Sequence, residues 1–323
     1  MPFSRFLLLP VVACSTLLLM ASLGTVTPSG TFCPGQQPET VPDAPTAQPA
    51  PSSAGAPDAE ASAAFDRAVA LLDPGRLAWL ETKLWQRVRV EDVTCEAEGR
   101  FLSGPGHRFR LDLKTHRGAT DRTVQVVSDG RTLWQATRLG EGTWGRSSRL
   151  RLNEVLALLD RPDTAPVVRD EFYQGQGCGG LPTLLPSLRR RVEWVRKEAV
   201  RRNDRLFVKL SGAWTPAAAA ALAPAGKPWP AHLPRQCRLY LDPETSWPHR
   251  LEWWGPDPAR GGDVPLVEVE FRDPMFNRPL SAEQCAREFR PDADEQTMPD
   301  VTAEVTQRLK TRISQTRKAG AKP

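Results

Sequence analysis

An alternation of apolar and charged residues with a period of two runs through much of the chain between positions 93 and 271. In residues 93–101 the odd positions are apolar or small and the even positions are polar or charged, and residues 108–114 repeat this pattern. Successive side chains of a β-strand point to opposite faces of the sheet, so the alternation predicts strands that bury one face only. The Asp129-Gly130 pair lies between two such runs and predicts a tight hairpin turn.

The same pattern predicts the fold class. Further strands are expected at 124–126, 132–139, 206–210, 239–241, 251–253 and 267–271, and these six and the two runs above belong to about ten strands in meander order. Helices are expected at 65–72, 153–160 and 181–191, and Thr215-Pro216 before five alanines indicates a short additional helix. The helices do not recur between successive strands as the crossovers of a parallel sheet would. We therefore predict a mainly β (α+β) domain, with a single curved antiparallel sheet that forms a half-open barrel and two or three helices covering its concave side.

A curved sheet covered by helices can enclose an apolar cavity, and this is where a ligand function would arise. The candidate cavity residues share an apolar position in an alternating strand; they are Phe101, Phe109, Leu111, Leu113, Val126, Trp134, Val208, Leu239, Leu251, Trp253 and Val269. We expect Phe109, Leu111, Trp134 and Trp253 to face the concave side. The alternative is that the same side chains fill the core and leave no opening, and composition does not separate the two.

The first residues predict export. Arg5 precedes an apolar run from Phe6 to Leu23, and Ser22-Leu23-Gly24 has the small-x-small pattern that signal peptidase needs. Residues 1–24 are therefore predicted to be a signal peptide or a signal anchor, which places the protein in the periplasm or cell envelope, either free or tethered through residues 6–23. Residues 11–14 also match a lipobox, so lipidation of Cys14 is a third alternative.

Composition sets the other boundaries. Residues 25–60 hold eight prolines among small and polar residues, and such a segment cannot bury enough surface to offset its ordering entropy, so we expect a disordered linker. Residues 61–302 are predicted to form the folded domain. Residues 303–323 carry a net charge of +5, equal to that of the whole chain, and are predicted to be a solvated, disordered basic tail.

The densest basic patch consists of Arg189, Arg190, Arg191, Arg196 and Lys197. An exported protein rarely meets nucleic acid, so the expected partner of this patch or of the tail is an envelope protein or an anionic surface. Four cysteines lie in the predicted domain, namely Cys95, Cys178, Cys237 and Cys285. They allow three disulfide connectivities, and a second alternative is that Cys95 and Cys237 are core thiols while Cys178 and Cys285 alone are bridged.

Signatures of catalysis, metals and cofactors are weak. The four histidines have no ligand spacing, and a Gly-x-Ser-x-Gly motif is absent. Residues 175–180 match a dinucleotide fingerprint in form only, because no βαβ pattern surrounds them. The sequence therefore predicts no enzyme, no metal site and no cofactor.

A family resemblance sharpens the fold prediction. Residues 99–113, with Gly104-Pro105, and the "VSDGRTLW" hairpin at 127–134 resemble the periplasmic outer-membrane lipoprotein carriers of the LolA-like superfamily and their secreted bacterial relatives. The resemblance implies an open half-barrel closed by helices that binds acyl chains on its concave side. In the carriers an arginine precedes the proline after the second strand and helps to hold the lid helices shut. Gly104 stands at the matching position, so carrier-style gating is not expected.

Together these observations predict a non-catalytic envelope protein that binds a lipid, an acyl chain or a lipoprotein in the concave side of a half-barrel. The alternative function is a protein-interaction or envelope-sensor module with a filled core and no ligand.

Overall fold

The computed structural model describes residues 56–73, 75–90, 93–117, 120–176, 180–223, 229–230, 233–257 and 261–320. The predicted signal segment, nearly all of the predicted linker, and Cys178 lie outside these described residues. Within the described part, no helix combines the length and the apolar character that a membrane span requires.

Eleven antiparallel strands form one open sheet in the described part of the chain. They are β1 (Leu80–Val90), β2 (Val93–Gly104), β3 (Arg108–Arg117), β4 (Thr120–Asp129), β5 (Thr132–Leu139), β6 (Trp144–Arg151), β7 (Val192–Arg202), β8 (Arg205–Trp214), β9 (Gln236–Leu241), β10 (Pro248–Pro256) and β11 (Asp263–Phe276). Two meanders, β1 to β6 and β7 to β11, are joined where β11 returns to pair with β1, which leaves β6 and β7 at the edges. The predicted fold class, a single open antiparallel sheet with helices, is confirmed.

Seven α-helices accompany the sheet among the described residues. They are α1 (Ala59–Leu71), α2 (Leu152–Leu159), α3 (Pro166–Gly175), α4 (Gly180–Arg189), α5 (Pro216–Leu222), α6 (Ala282–Glu288) and α7 (Thr302–Gly320). Local sequence explains where two of them begin. The Asp58 side chain accepts hydrogen bonds from the backbone N–H groups of Glu60 and Ala61, and Thr215 caps α5 in the same way. The helices predicted at 65–72, 153–160, 181–191 and after Thr215 are thus confirmed.

Helices cover one face of the sheet, called here the helix-covered face. Apolar residues of α1 to α4 join the alternating apolar residues of the strands in a single main core. Phe65 of α1, for example, lies 4.9 Å from the ring of Trp194 on β7, and both side chains are buried. Burial of side chains of this size stabilises a fold by roughly 1.5–3 kcal/mol each, so the helices are integral to the domain.

The chain after β11 covers part of the other face, called here the opposite face. Arg110 on β3 is buried there, and it donates to the carbonyl oxygens of Glu288 and Arg290 and, at 2.9 Å, to both carboxylate oxygens of Asp292. Burial raises the pKa of Asp292, but hydrogen bonds from Arg110 and Gln125 outweigh it and hold that pKa below its ordinary value. Both contacts to Asp292 come from Nη2, and this charge-assisted pair, together with the two carbonyl bonds, fixes the segment on the sheet.

A second, smaller core lies under this segment and contains Trp134. It consists of Val127, Trp134, Ala136, Ala293 and Met298. The expectation that Trp134 faces the concave side was therefore wrong: the adjacent Leu133 belongs to the main core, and Trp134 points to the opposite face. Both residues are apolar, so the alternation did not show which of them turns toward the helices.

Helix α7 corrects the prediction of a disordered tail from residue 303. After Val301 donates to the carbonyl of Arg149 on edge strand β6, the chain enters α7, which packs against α2, α3 and β6. Leu309 is buried, and Val305 and Ile313 pack around the main core. Arg312 donates to both carboxylate oxygens of Glu171 at 2.9 and 2.7 Å. Val305, Leu309 and Ile313 are four residues apart and so share one helix face. Burial of this apolar face stabilises the helix on the domain although the segment carries a net positive charge.

Candidate functional site

Most of the predicted cavity residues fill the core of the helix-covered face. Ten of the eleven, all except Trp134, lie in the main core or pack against it. Leu239 is 0% exposed, Leu251 is 2% exposed and Trp253 is 3% exposed. Trp253 also stacks on Trp214 with ring centroids 4.8 Å apart. The middle of the concave side is therefore packed with side chains.

Two cavities nevertheless open at the sheet. One of about 540 Å³ lies on the opposite face, and one of about 490 Å³ lies on the helix-covered face. The smaller lies between the sheet and the helices, where the β2–β3 hairpin meets the ends of α1 and α4, and is called here the mouth cavity. Its apolar wall consists of Leu72, Leu77, Phe109, Leu152 and Pro182, with Tyr173 of α3 beside them. Ala78, Ser103, Thr183 and residues 104–108 complete the lining. Of the predicted cavity residues, Phe109 is thus the one that lines this opening.

The rim of the mouth cavity depends on two hairpins that touch. Gly130 has a φ of +91°, and a Cβ there would lie 2.2 Å from the carbonyl oxygen of Gly106 in the β2–β3 turn. Only glycine satisfies both the left-handed backbone and the close approach. Asp129 Oδ1 accepts from the backbone N–H groups of Arg131 and Thr132 at 2.8 and 2.7 Å and fixes the turn. The "VSDGRTLW" motif therefore shapes the rim of the cavity.

Gly104 explains why an arginine gate does not fit. A Cβ at this position would lie 2.6 Å from the Trp79 ring, which in turn packs 6.2 Å from the ring of Phe289. A larger side chain would displace Trp79.

One cation lies at the rim of the mouth cavity. Arg108 is exposed, and its Nε donates to the carbonyl of Asp129 at 3.4 Å. Among the described residues, no carboxylate lies within ion-pair distance of Arg108. A guanidinium has five N–H donors, so most of those on Arg108 face solvent at the opening.

The predicted basic patch is not a free positive surface. Arg189 pairs with Asp66, Arg190 pairs with Asp170, Arg196 pairs with Glu198, and Lys197 pairs with Glu60. Arg191 is buried, which lowers its pKa, while Asp170 and Glu171 oppose that effect. Glu198 is a neighbour of Arg196 on β7, but Glu60 and Asp66 come from α1 and Asp170 comes from α3. The search for runs of basic residues along the chain did not show these pairings.

The cysteines of the described part are free thiols. Cys95 and Cys237 are buried in the main core and Cys285 is partly buried; none of the three is bridged. Burial, with a contribution from Glu252, raises the pKa of Cys237 well above its ordinary value, so this thiol is unreactive. The alternative of Cys95 and Cys237 as core thiols matches this arrangement, and a bridge between them does not. The pairing of Cys285 with Cys178 involves a residue outside the described part.

A buried charge network on the opposite face was not predicted. Arg250 on β10 donates to Glu252 at 2.6 Å and to Glu268 and Glu270, and Arg250, Glu252 and Glu268 are all buried. Burial alone would raise the pKa of Glu252, but hydrogen bonds from Trp254 and Arg250 and the charge of Arg250 hold it below the ordinary value. Alternation along a strand does not show which side chains of neighbouring strands cover these carboxylates.

Beside this network lies the larger cavity, called here the opposite-face groove. It is formed by β8 to β11 and by the turns at 203–204 and 242–247. In the part of the chain that the structure describes, no group of three or more His, Cys, Asp or Glu side chains is placed to hold a metal ion.

Comparison with known proteins finds only distant structural similarities. No protein-family model matches the chain, and no curated protein matches it. The solved complex of MucA and MucB from Pseudomonas aeruginosa matches at 15% identity over 70% of this chain, with a TM-score of 0.32; the match spans only 60% of that chain. The lipoprotein LppX from Mycobacterium tuberculosis matches at 11% identity over 69% of this chain and 98% of its own, with a TM-score of 0.34.

A LolA superfamily protein from Nitrosomonas europaea matches at 12% identity over 72% of this chain and 98% of its own, with a TM-score of 0.28. Similarities of this size carry no argument about ligand, partner or activity.

Proposed function

We propose that the protein binds an amphipathic apolar ligand, such as a lipid or the acyl chain of a lipoprotein, in the mouth cavity, without catalysis. The observation that supports this proposal is the cavity itself. Its volume of about 490 Å³ lies within the usual range of ligand pockets, about 300–1,000 Å³. Apolar side chains of Leu72, Phe109 and Leu152 stand on different elements around it, so an apolar chain would lose contact with water on several sides.

The rim favours an anionic head group on the ligand. Arg108 is exposed and lines the same cavity as Leu77 and Pro182, so it is placed to meet the head group of a chain buried there. A carboxylate or phosphate gains charge-assisted hydrogen bonds there that a neutral head group does not. The ligand class is therefore an anionic lipid or acyl chain.

The packed core limits how deep the ligand goes. Leu111, Val126 and Leu239 fill the concave side, with 8%, 1% and 0% of their surfaces exposed. Each CH₂ group that reaches the mouth cavity contributes about 0.8 kcal/mol, whereas groups beyond it stay in water. We propose that affinity rises with chain length only until the cavity is full.

The envelope location of this function rests on the sequence of residues 1–24, whose apolar run and small-x-small pattern favour export. An exported protein meets lipids and lipoproteins in the compartment where this ligand class occurs.

A binding titration tests the proposal. An environment-sensitive fluorescent fatty acid is titrated against delipidated protein, and saturable binding at micromolar concentration is expected. Ser103→Trp places a large ring on the cavity wall and is expected to abolish binding. Arg108→Gln is expected to weaken binding by about tenfold at low salt, the factor for one charge-assisted hydrogen bond.

The matched control is Arg131→Gln. Arg131 is also exposed in a hairpin at this end of the sheet but does not line the cavity, so its removal should leave binding unchanged. Equal effects of the two arginine substitutions would contradict the proposed head-group position. Absence of saturable binding by the unmodified protein would reject the ligand function.

The second candidate function is the protein-interaction or envelope-sensor module. The filled main core favours it, since this core needs no ligand for its stability. Mass spectrometry of the protein purified from its own envelope separates the two candidates, because only the first predicts co-purifying acyl species.

A further inference from the structure

The opposite-face groove is a second cavity with different chemistry from the mouth cavity. We propose that it binds a small carboxylate ligand with an aromatic or other planar apolar body. The groove, of about 540 Å³, has aromatic side chains on its floor and arginines on its rim. This combination of an apolar body site with a few convergent polar groups is typical of small-molecule pockets.

The floor offers flat apolar surface. Phe207, Tyr240 and Trp247 are 5%, 8% and 3% exposed, so their rings are fixed by packing. The ring of His249 stands edge-on to Phe207 with centroids 5.0 Å apart. A planar ligand placed against these rings would gain offset or edge-to-face contacts without ordering the protein further.

The acidic side chains of the groove are already engaged. Asp242 Oδ1 accepts from the backbone N–H groups of Glu244 and Thr245 at 3.1 and 2.8 Å. Glu270 accepts from Arg250 and Arg272, and Asp273 accepts from Lys83 at 2.9 Å. These carboxylates stay charged, but the four arginines of the lining outnumber the three acids, so the groove is not acidic overall.

The rim arginines, in contrast, keep open donors. Arg205 is 61% exposed, and its nearest carboxylate contact is Asp242 at 3.8 Å, beyond hydrogen-bond distance. Its guanidinium lies 5.6 Å from the centre of the Phe207 ring, directly over the floor. Arg202 uses Nη1 on Glu252 at 3.1 Å and lies 5.9 Å from the Tyr240 ring. An anion above the floor therefore meets two guanidiniums with unused N–H groups.

The buried network keeps this arrangement rigid. Arg250 ties β10 to β11 through Glu268 and Glu270, and Glu252 ties β10 to Tyr240 on β9 and to Arg202 on β7. Charged groups held by several hydrogen bonds do not move to meet a ligand, so the floor is preorganised. A ligand carboxylate pairs with Arg205, and its ring lies beside Arg205, against the edges of the Phe207 and His249 rings.

Two probes of matched shape and different charge test this proposal. Indole-3-acetate and indole-3-acetamide are titrated into the whole protein by calorimetry at low salt. We expect the acetate to bind at least about tenfold tighter than the acetamide, with the preference falling as salt screens Arg205. Arg205→Gln is expected to lower the affinity for the acetate to that for the acetamide.

Arg287→Gln is the matched control. Arg287 is 72% exposed and lies 3.7 Å from Glu288, so its exposure and ion-pair distance resemble those of Arg205, but it does not line the groove. The Arg287→Gln variant should bind both probes with the same affinities as the unmodified protein. Because Arg205 is exposed, its substitution should leave the melting temperature essentially unchanged, which thermal unfolding verifies.

Equal binding of the two probes, no binding of either, or an unchanged preference in Arg205→Gln overturns the proposal. The Ser103→Trp variant is also titrated with both probes. If it loses the preference for the acetate while Arg205→Gln keeps it, the probe binds in the mouth cavity, and this result also overturns the proposal. The result does not depend on the fatty-acid titration, so the two proposals can fail separately.

Discussion

Replacement of Arg250 by Met tests whether the charge network on the opposite face is as closely coupled as the geometry indicates. Arg250 and its partners Glu252 and Glu268 are 5%, 2% and 4% exposed. Removing one member of a buried ion pair typically costs about 3–5 kcal/mol, because the other charge stays desolvated. Glu252 keeps Arg202, and Glu268 keeps Arg87 at 3.2 Å, so we expect the lower end, about 3 kcal/mol.

Urea unfolding followed by tryptophan fluorescence measures this loss, and for a domain of this size it corresponds to a fall in Tm of about 6–12 °C. Arg272→Met is the matched control. Arg272 contacts the same Glu270, but its side chain is 44% exposed, so we expect a loss of less than about 1 kcal/mol. A loss below about 1 kcal/mol for Arg250→Met, or equal losses for the two variants, would refute the reasoning.

The pH dependence gives a second test of the same network. In the unmodified protein the pKa of Glu252 is below its ordinary value of 4.5, so its contribution to stability is present above that pH and is lost as the pH falls through the lowered value. In Arg250→Met, burial without the cation favours protonation and raises the pKa. As the pH falls from about 7 to about 5, the variant therefore gains stability relative to the unmodified protein. The difference between their free energies of unfolding becomes smaller over this range. A difference that is constant or grows over this range would contradict the assignment.

Three further predictions concern the core, the rim and the C-terminal helix. Leu111→Glu should lower the stability by at least about 3 kcal/mol in urea unfolding, because it buries an unpaired charge in the main core; a variant that melts with the unmodified protein would contradict the strand phase. Gly130→Ala should lose about 2 kcal/mol or more, since the left-handed φ and the contact with Gly106 both exclude a Cβ, whereas Gly140→Ala, at positive φ in open space, should lose less. Deletion of residues 303–323 should lower Tm and expose apolar surface to a fluorescent dye, because it removes Leu309 from the core; unchanged melting would restore the interpretation as a solvated tail.

Local features of the fold were readable because their causes are local. The strand phase of residues 93–101 and 108–114 follows from alternation, which is a property of neighbouring residues. The Asp129-Gly130 turn follows from the backbone freedom of glycine and the hydrogen bonds of the aspartate. The α1 helix follows from apolar spacing. Its start at Ala59, two residues before the predicted domain boundary, depends on the Asp58 cap.

The candidate sites were less accessible to sequence reasoning. Of the predicted cavity residues, Phe109 lines the mouth cavity while most of the others fill the core, because an opening depends on how helices fit over the sheet. The rim cation Arg108 appeared only as one charged member of an alternating strand. Its special position depends on the contact between two hairpins, which are adjacent only after folding.

The sequence by itself determined that this chain forms antiparallel strands with one strongly apolar face, since period-two alternation and turn chemistry act over a few residues. Only the tertiary structure decided what covers the other face. The segment after β11 buries Trp134, and Arg250 and its carboxylates are buried among neighbouring strands. The same structure pairs the basic residues after α4 and docks α7 on α2 and α3. These outcomes depend on contacts between elements far apart in sequence, whose energies of packing and ion pairing exist only once the sheet has closed β11 onto β1.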